Sequence, residues 1–116
     1  MPKAPTDRLR AICLALPEAE EVALRRGPTY RIEGKIFALD RRHERGTALW
    51  CKVPSGAQAI LIGADPARFF SPPYYGTKGW IGVVLDGKTD WAEATALIRR
   101  SYRLVAPKRL AAMVAE

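Results

Sequence analysis

The sequence predicts an α+β protein: helices packed on one face of a single antiparallel sheet of about five strands, in the order α-β-β-β-β-α-β-α. Three observations carry that prediction. Near both ends of the chain, apolar residues recur at helical spacing. Between Glu20 and Val53 the pattern changes to short segments rich in β-branched and aromatic residues. Links as short as two residues, with glycine in second place, suit tight hairpins, and consecutive hairpins make an antiparallel sheet that can face solvent on one side.

The first helix is expected from Thr6 to Leu16, because Leu9, Ile12, Cys13 and Leu16 fall on one face. Thr6 or Asp7 suits its cap, and Pro17 ends it. Four strands follow: EEVALRR (Glu20–Arg26), TYRI (Thr29–Ile32), KIFALD (Lys35–Asp40) and ALWCKV (Ala48–Val53). Gly27-Pro28, Glu33-Gly34 and a wider loop, RRHERG, separate them. PSGAQAILIG (Pro54–Gly63) reads as a short helix with Ser55 as its cap. DPARFF reads as a helical turn, capped by Asp65 and closed by Phe69 and Phe70. The aromatic stretch FFSPPYYGTKGW is a loop, and WIGVVLDG (Trp80–Gly87) is the buried last strand. Asp90 with Glu93 opens the final long helix as a capping box. That helix sets Trp91, Ala94, Ile98, Tyr102 and Val105 on one stripe and Arg99, Arg100 and Arg103 on the other side. Pro107 breaks it, and KRLAAMVAE supplies a terminal turn or helix.

These pieces resemble the MmcQ/YjbR family, small bacterial proteins with a CyaY-like or secretion-chaperone-like fold. The resemblance lies in LALPEAEE, PTYRIEGKIFA, LWCKVP, DPARFFSPPYYGTKGWIGVVLDG and DWAEATALIRRSYRLVAPKRL, from Leu9 to about Lys108. It implies one YjbR-like domain over residues 1–116. It also implies DNA binding through a "double wing" of paired hairpins, an analogy at the level of fold. CyaY-type proteins hold iron on an acidic first helix, whereas TDRLRAICLAL sets Arg8 and Arg10 against Asp7.

A chain of 116 residues, 48% apolar and 27% charged, builds one core without disulfide or metal. MPKAPTDRLR has no apolar segment behind its polar start, and no run approaches the roughly 20 residues that span a bilayer. Cys13 and Cys51 stand alone in apolar surroundings, as buried thiols do in a reducing compartment. The expectation is a cytoplasmic protein with no membrane partner.

Little here suits catalysis. His43 is the only histidine and lies in RRHERG; Ser55, Ser71 and Ser101 have no base beside them in an active-site pattern. Ser101 reads as packing or as filler on a polar face. One histidine and two separated cysteines do not make a metal site, and no glycine-rich phosphate loop follows a strand. The reading is of a non-enzyme without cofactor or metal.

Charge is more informative. The chain carries +7, and most of the excess lies in two stretches: net +5 from Val22 to Lys52 and net +4 from Lys88 to Arg109. Singly, each arginine is what solubility demands of a loop or helix face. Together, Arg31, Lys35, Arg41, Arg42 and Arg45 on the hairpins and Arg99, Arg100 and Arg103 on the last helix suit phosphate contacts. Neutralising about four to six phosphates gives a log–log salt slope of roughly −4 to −5. No helix sets Asn, Gln and Arg at base-reading spacing, so binding to DNA is expected to be led by the backbone. In the aromatic loop, Tyr74, Tyr75 and Lys78 form a candidate ring-stacking group. The competing reading is a chaperone-like adaptor that holds another protein on an exposed apolar patch.

Overall fold

The computed structural model describes residues 4–114, so residues 1–3 of the polar start and residues 115–116 of the terminal segment lie outside it. Its elements are α1 (Pro5–Leu14), β1 (Glu20–Leu24), β2 (Gly27–Ile32), β3 (Lys35–His43), β4 (Gly46–Cys51), α2 (Ala57–Ala64), β5 (Phe69–Phe70), a 3₁₀ turn (Tyr75–Lys78), β6 (Ile81–Leu85), α3 (Trp91–Val105) and α4 (Lys108–Ala111). All strand pairs are antiparallel, in the order β1-β2-β3-β4-β6-β5.

The sheet thus has six strands, one more than expected. The extra strand is Phe69–Phe70, which the sequence placed in a helical turn. That turn closes earlier, with Arg68 N–H and Phe69 N–H both donating to Asp65 O. Phe69 and Phe70 then pair with Val83 and Gly82 of β6. Phe70 lies across Gly82, where any Cβ would overlap its ring.

Two hairpin turns also differ from the sequence expectation, the first in position and the other in length. Leu24 pairs with Gly27, so the first turn is Arg25-Arg26 rather than Gly27-Pro28. His43 pairs with Gly46, so Arg41, Arg42 and His43 belong to β3 and only Glu44-Arg45 remain as turn. Thr47 holds this extension by donating to Asp40 Oδ1 (2.6 Å), with Arg41 O also within reach at 3.1 Å. At Glu33-Gly34 both residues have positive φ, 49° and 80°, as a two-residue hairpin of this type requires.

The helices differ mainly at their caps. No side chain caps α1, and Thr6 bonds instead to the Asp40 carboxylate across the core. Gly56, at φ 87°, precedes α2 where Ser55 was expected to cap. Asp90 does cap α3, accepting from Glu93 N–H at 3.1 Å.

Alternation along the strands divides the sheet into two faces. One presents Tyr30, Ala38, Leu49, Cys51, Ile81, Val83 and Leu85 to Leu9 and Cys13 of α1 and to Ile98 and Tyr102 of α3. Buried Ser101, far from filler, fastens α3 to this face: its hydroxyl donates to Phe37 O (2.6 Å) and accepts from Lys52 N–H (2.9 Å). One turn away, the Tyr102 hydroxyl donates to Pro17 O (2.6 Å), and the ring meets Phe37 edge-on at 5.3 Å.

Ser101→Ala is expected to strand a buried carbonyl and a part-buried N–H, at about 1–3 kcal/mol. Urea unfolding checks this: the midpoint falls while the m-value stays constant. Both cysteines are free and buried. Burial raises Cys13 well above its usual 9.0 and Cys51 to about 12. The folded chain therefore keeps protons that the unfolded chain releases above pH 9, so stability falls as pH rises from about 9 towards 12. Urea midpoints at pH 8, 9.5 and 10.5 should drop progressively, and less steeply in Cys51→Ala.

Candidate nucleic-acid interface

The same alternation that turns Leu49 and Cys51 toward the helices turns Trp50 the other way, opposite Leu39 and Gly82. Leu39, Ala48 and Val84 are buried on this second face as well. Its cover is the loop between β5 and β6. Tyr75 lies 6.1 Å from Trp50 and 4.8 Å from Trp80, so three rings run in series. Beyond them Phe70 covers Gly82, with the His43 ring 5.1 Å away. His43 is thus packed at a strand end, not free in a loop.

The loop is held from below and bent at its tip. Gln58 of α2 donates its amide to Gly76 O (3.0 Å) and Trp80 O (2.6 Å). At Gly76 a Cβ would run into Ser71 Oγ. Tyr74 adopts φ 65° and ψ −61°, with Tyr75 N–H donating to Pro73 O at 2.7 Å. This is the strained hand of the γ-turn. It places the Tyr74 ring in solvent, 69% exposed and edge-on to Tyr75. Lys78 Nζ sits 4.6 Å from the Tyr74 ring and 5.8 Å from Tyr75, so Tyr74, Tyr75 and Lys78 form one group.

Beside the rings opens a cleft of about 580 Å³ lined by Arg25, Arg26, Arg41, Arg42, Gly27, Trp50 and Pro73. The Arg41 guanidinium lies 5.9 Å from the Trp50 ring and donates to Asp40 O (3.0 Å). Burial first, and then the charge of Arg26, pull its pKa below the ordinary value, while Tyr75 pushes the other way. An anion in the cleft would act in the opposite direction, favouring the charged guanidinium. The Trp50 indole N–H is buried without an acceptor among the described residues.

The remaining expected contacts fall elsewhere. Lys35 and Lys78 line a second hollow, beyond Tyr75. Arg31 is half-buried and donates to Thr29 Oγ1 (3.1 Å). Arg45 holds the hairpin tip against Asp86 (2.7 Å) and Ala67 O (2.7 Å). Arg99, Arg100 and Arg103 lie along α3, in the helix layer, so the sheet separates them from Arg41 and Trp50.

Arg25, Arg26, Trp50 and Lys52 were not among the expected site residues. Placing the first turn at Gly27-Pro28 left Arg25-Arg26 in a strand. The signal for Trp50 was present: it alternates with two residues that face the core. Among the described residues, no three His, Cys, Asp or Glu side chains gather where a metal could sit, and no helix is long and apolar enough to cross a membrane.

An antiparallel sheet with helices on one face and an aromatic loop on the other defines a small one-sheet α+β module. The family model described as YjbR matches residues 14–104, and the chain belongs to the YjbR family. A similar fold occurs in the crystal structure of Deinococcus radiodurans protein DR2400, described with the family-model domain DUF419. It is 24% identical, with a TM-score of 0.75 over 89% of this chain and 81% of that one. No curated protein matches the chain.

Gln58→Ala should release the loop without disturbing the sheet. Loss of both amide bonds, about 1–2 kcal/mol, is expected to speed hydrogen exchange of the Tyr75–Trp80 amides about tenfold or more, with β2 and β3 amides unchanged. Exchange followed by mass spectrometry checks this.

Proposed function

We propose that the chain is a non-catalytic nucleic-acid-binding protein that takes DNA through its backbone, on the helix-free face of the sheet. One observation carries this reading: four arginines from two hairpins surround a half-buried tryptophan in an open cleft. Arginine forks suit phosphate oxygens, and cations lining one cleft concentrate field there. Tyr74 and Trp50 add ring surface that accepts any base, which favours affinity over sequence choice. The arginines of α3 supply at most a second surface, because the sheet lies between them and the cleft.

The adaptor reading draws less support. The exposed large apolar residues other than Tyr74, namely Leu24, Ile60, Leu104 and Met113, are scattered along the chain.

Fluorescence anisotropy with labelled single- and double-stranded 20-mers, at 50 and 200 mM salt, tests the proposal. Duplex affinity should fall with a log–log slope of about −4 for four phosphate contacts. Arg41→Ala/Arg42→Ala should weaken binding about tenfold or more and reduce the slope by about 2. Arg99→Ala/Arg100→Ala/Arg103→Ala should do much less. Binding that is absent, or indifferent to salt, overturns the proposal.

A further inference from the structure

We propose that the hollow between the aromatic loop and the C-terminal end of α3 binds a phosphomonoester carried on a planar ring, as in a nucleoside monophosphate. Lys35 opens β3, Lys52 follows β4 and Lys78 ends the 3₁₀ turn, so three separate elements bring a lysine to the lining of one hollow of about 290 Å³. None of the three is ion-paired with an acid among the described residues. Three like charges without acidic partners repel one another when gathered at one hollow. A bound anion removes that cost.

The shape of the hollow narrows the choice of anion. Tyr75 and Trp80 form one wall, and Ile36, Leu104 and Val105 supply apolar surface around the rest. A free inorganic anion would leave that surface unused. A carboxylate would bring one negative charge, whereas a phosphomonoester brings nearly two at neutral pH. The Lys78 ammonium stands 5.8 Å from Tyr75, the ring that lines the hollow, and 4.6 Å from the exposed Tyr74 ring. The volume is at the low end for ligand pockets, which suits one phosphate with one ring rather than a dinucleotide.

Such a group could come from a free mononucleotide or from the phosphorylated end of a strand. The second form rests on the nucleic-acid reading above; the first does not.

The test is calorimetric titration with AMP, adenosine and inorganic phosphate, beside anisotropy with 5′-phosphorylated and 5′-hydroxyl forms of one 12-mer. Either AMP should bind about tenfold or more tighter than adenosine and phosphate alone, or the 5′-phosphate should strengthen 12-mer binding by a similar factor. A gain with AMP alone assigns the hollow to the free ligand, and a gain with the 12-mer assigns it to a strand end; each supports the proposal. Lys52→Ala/Lys78→Ala should erase the gain while internal duplex binding stays within about threefold. Arg41→Ala/Arg42→Ala should show the reverse pattern, so the two sites fail separately. Two results overturn the proposal: no gain with either probe, or a gain that survives loss of the lysines.

Discussion

The central strands of this sheet are apolar on both faces, and the chain has helices for only one. Every residue of β6 is buried, and β3 and β4 bury Leu39 and Ala48 on the side away from α1 and α3. Apolar surface left in water costs about 25 cal/mol per Å², against a net stability of only about 5–15 kcal/mol for a domain. Some other segment has to cover the second face. The loop between β5 and β6 is that segment, and a loop covers much area with few residues only if its side chains are large. Hence Phe70, Tyr75 and Trp80.

This cover explains both the order and the strain around it. Aromatic rings laid on a sheet need small residues beneath them, and Gly82 under Phe70 meets that need. The backbone that carries the rings cannot pair along its length with the sheet, so Gln58 accounts for two of its carbonyls from the side. The strained turn at Tyr74 follows from forcing Tyr75 down onto Trp50 within a few residues of Pro72-Pro73. Such strain persists only where surrounding contacts over-determine the conformation. The same turn that seats one tyrosine leaves its neighbour in solvent beside Lys78.

What the sequence disclosed, and what it concealed, follows from how far each signal reaches. Helix α3 was legible in full, because its stripe repeats over fifteen residues and Asp90 caps it from two positions before Ala92. The tight Glu33-Gly34 hairpin was legible because its geometry is local. Strand β5 was not: two residues carry no period, and their pairing depends on Gly82, more than ten positions later. The RRHERG stretch looked like loop because its charge suits solvent, yet β4 alongside and the Thr47 hydroxyl keep it in the ladder. Ser101 looked incidental because its partners, Phe37 O and Lys52 N–H, are backbone groups far away in sequence. Among the site residues, Tyr74, Tyr75 and Lys78 were found together because they are neighbours in the chain. Trp50 was missed because its role depends on which face it takes.

The position of the arginines constrains how a long polyanion could engage both basic regions. The cleft of Arg25, Arg26, Arg41 and Arg42 lies on the loop-covered face, while Arg99, Arg100 and Arg103 follow α3 on the other. A straight duplex lying on one face meets only one of these sets, since a sheet and a helix layer, together well over 10 Å, intervene. The lysine hollow lies between them, at the edge where Tyr75 and Trp80 approach Leu104 and Val105. Leu104 also borders the groove of Arg100 and Arg103, so the basic surface continues around that edge rather than across a plane. A flexible strand or a strand end can follow such a bend, whereas a stiff duplex, with a persistence length of about 150 bp, pays to do so. The two regions therefore act as one surface only for a ligand that turns the corner at the lysines.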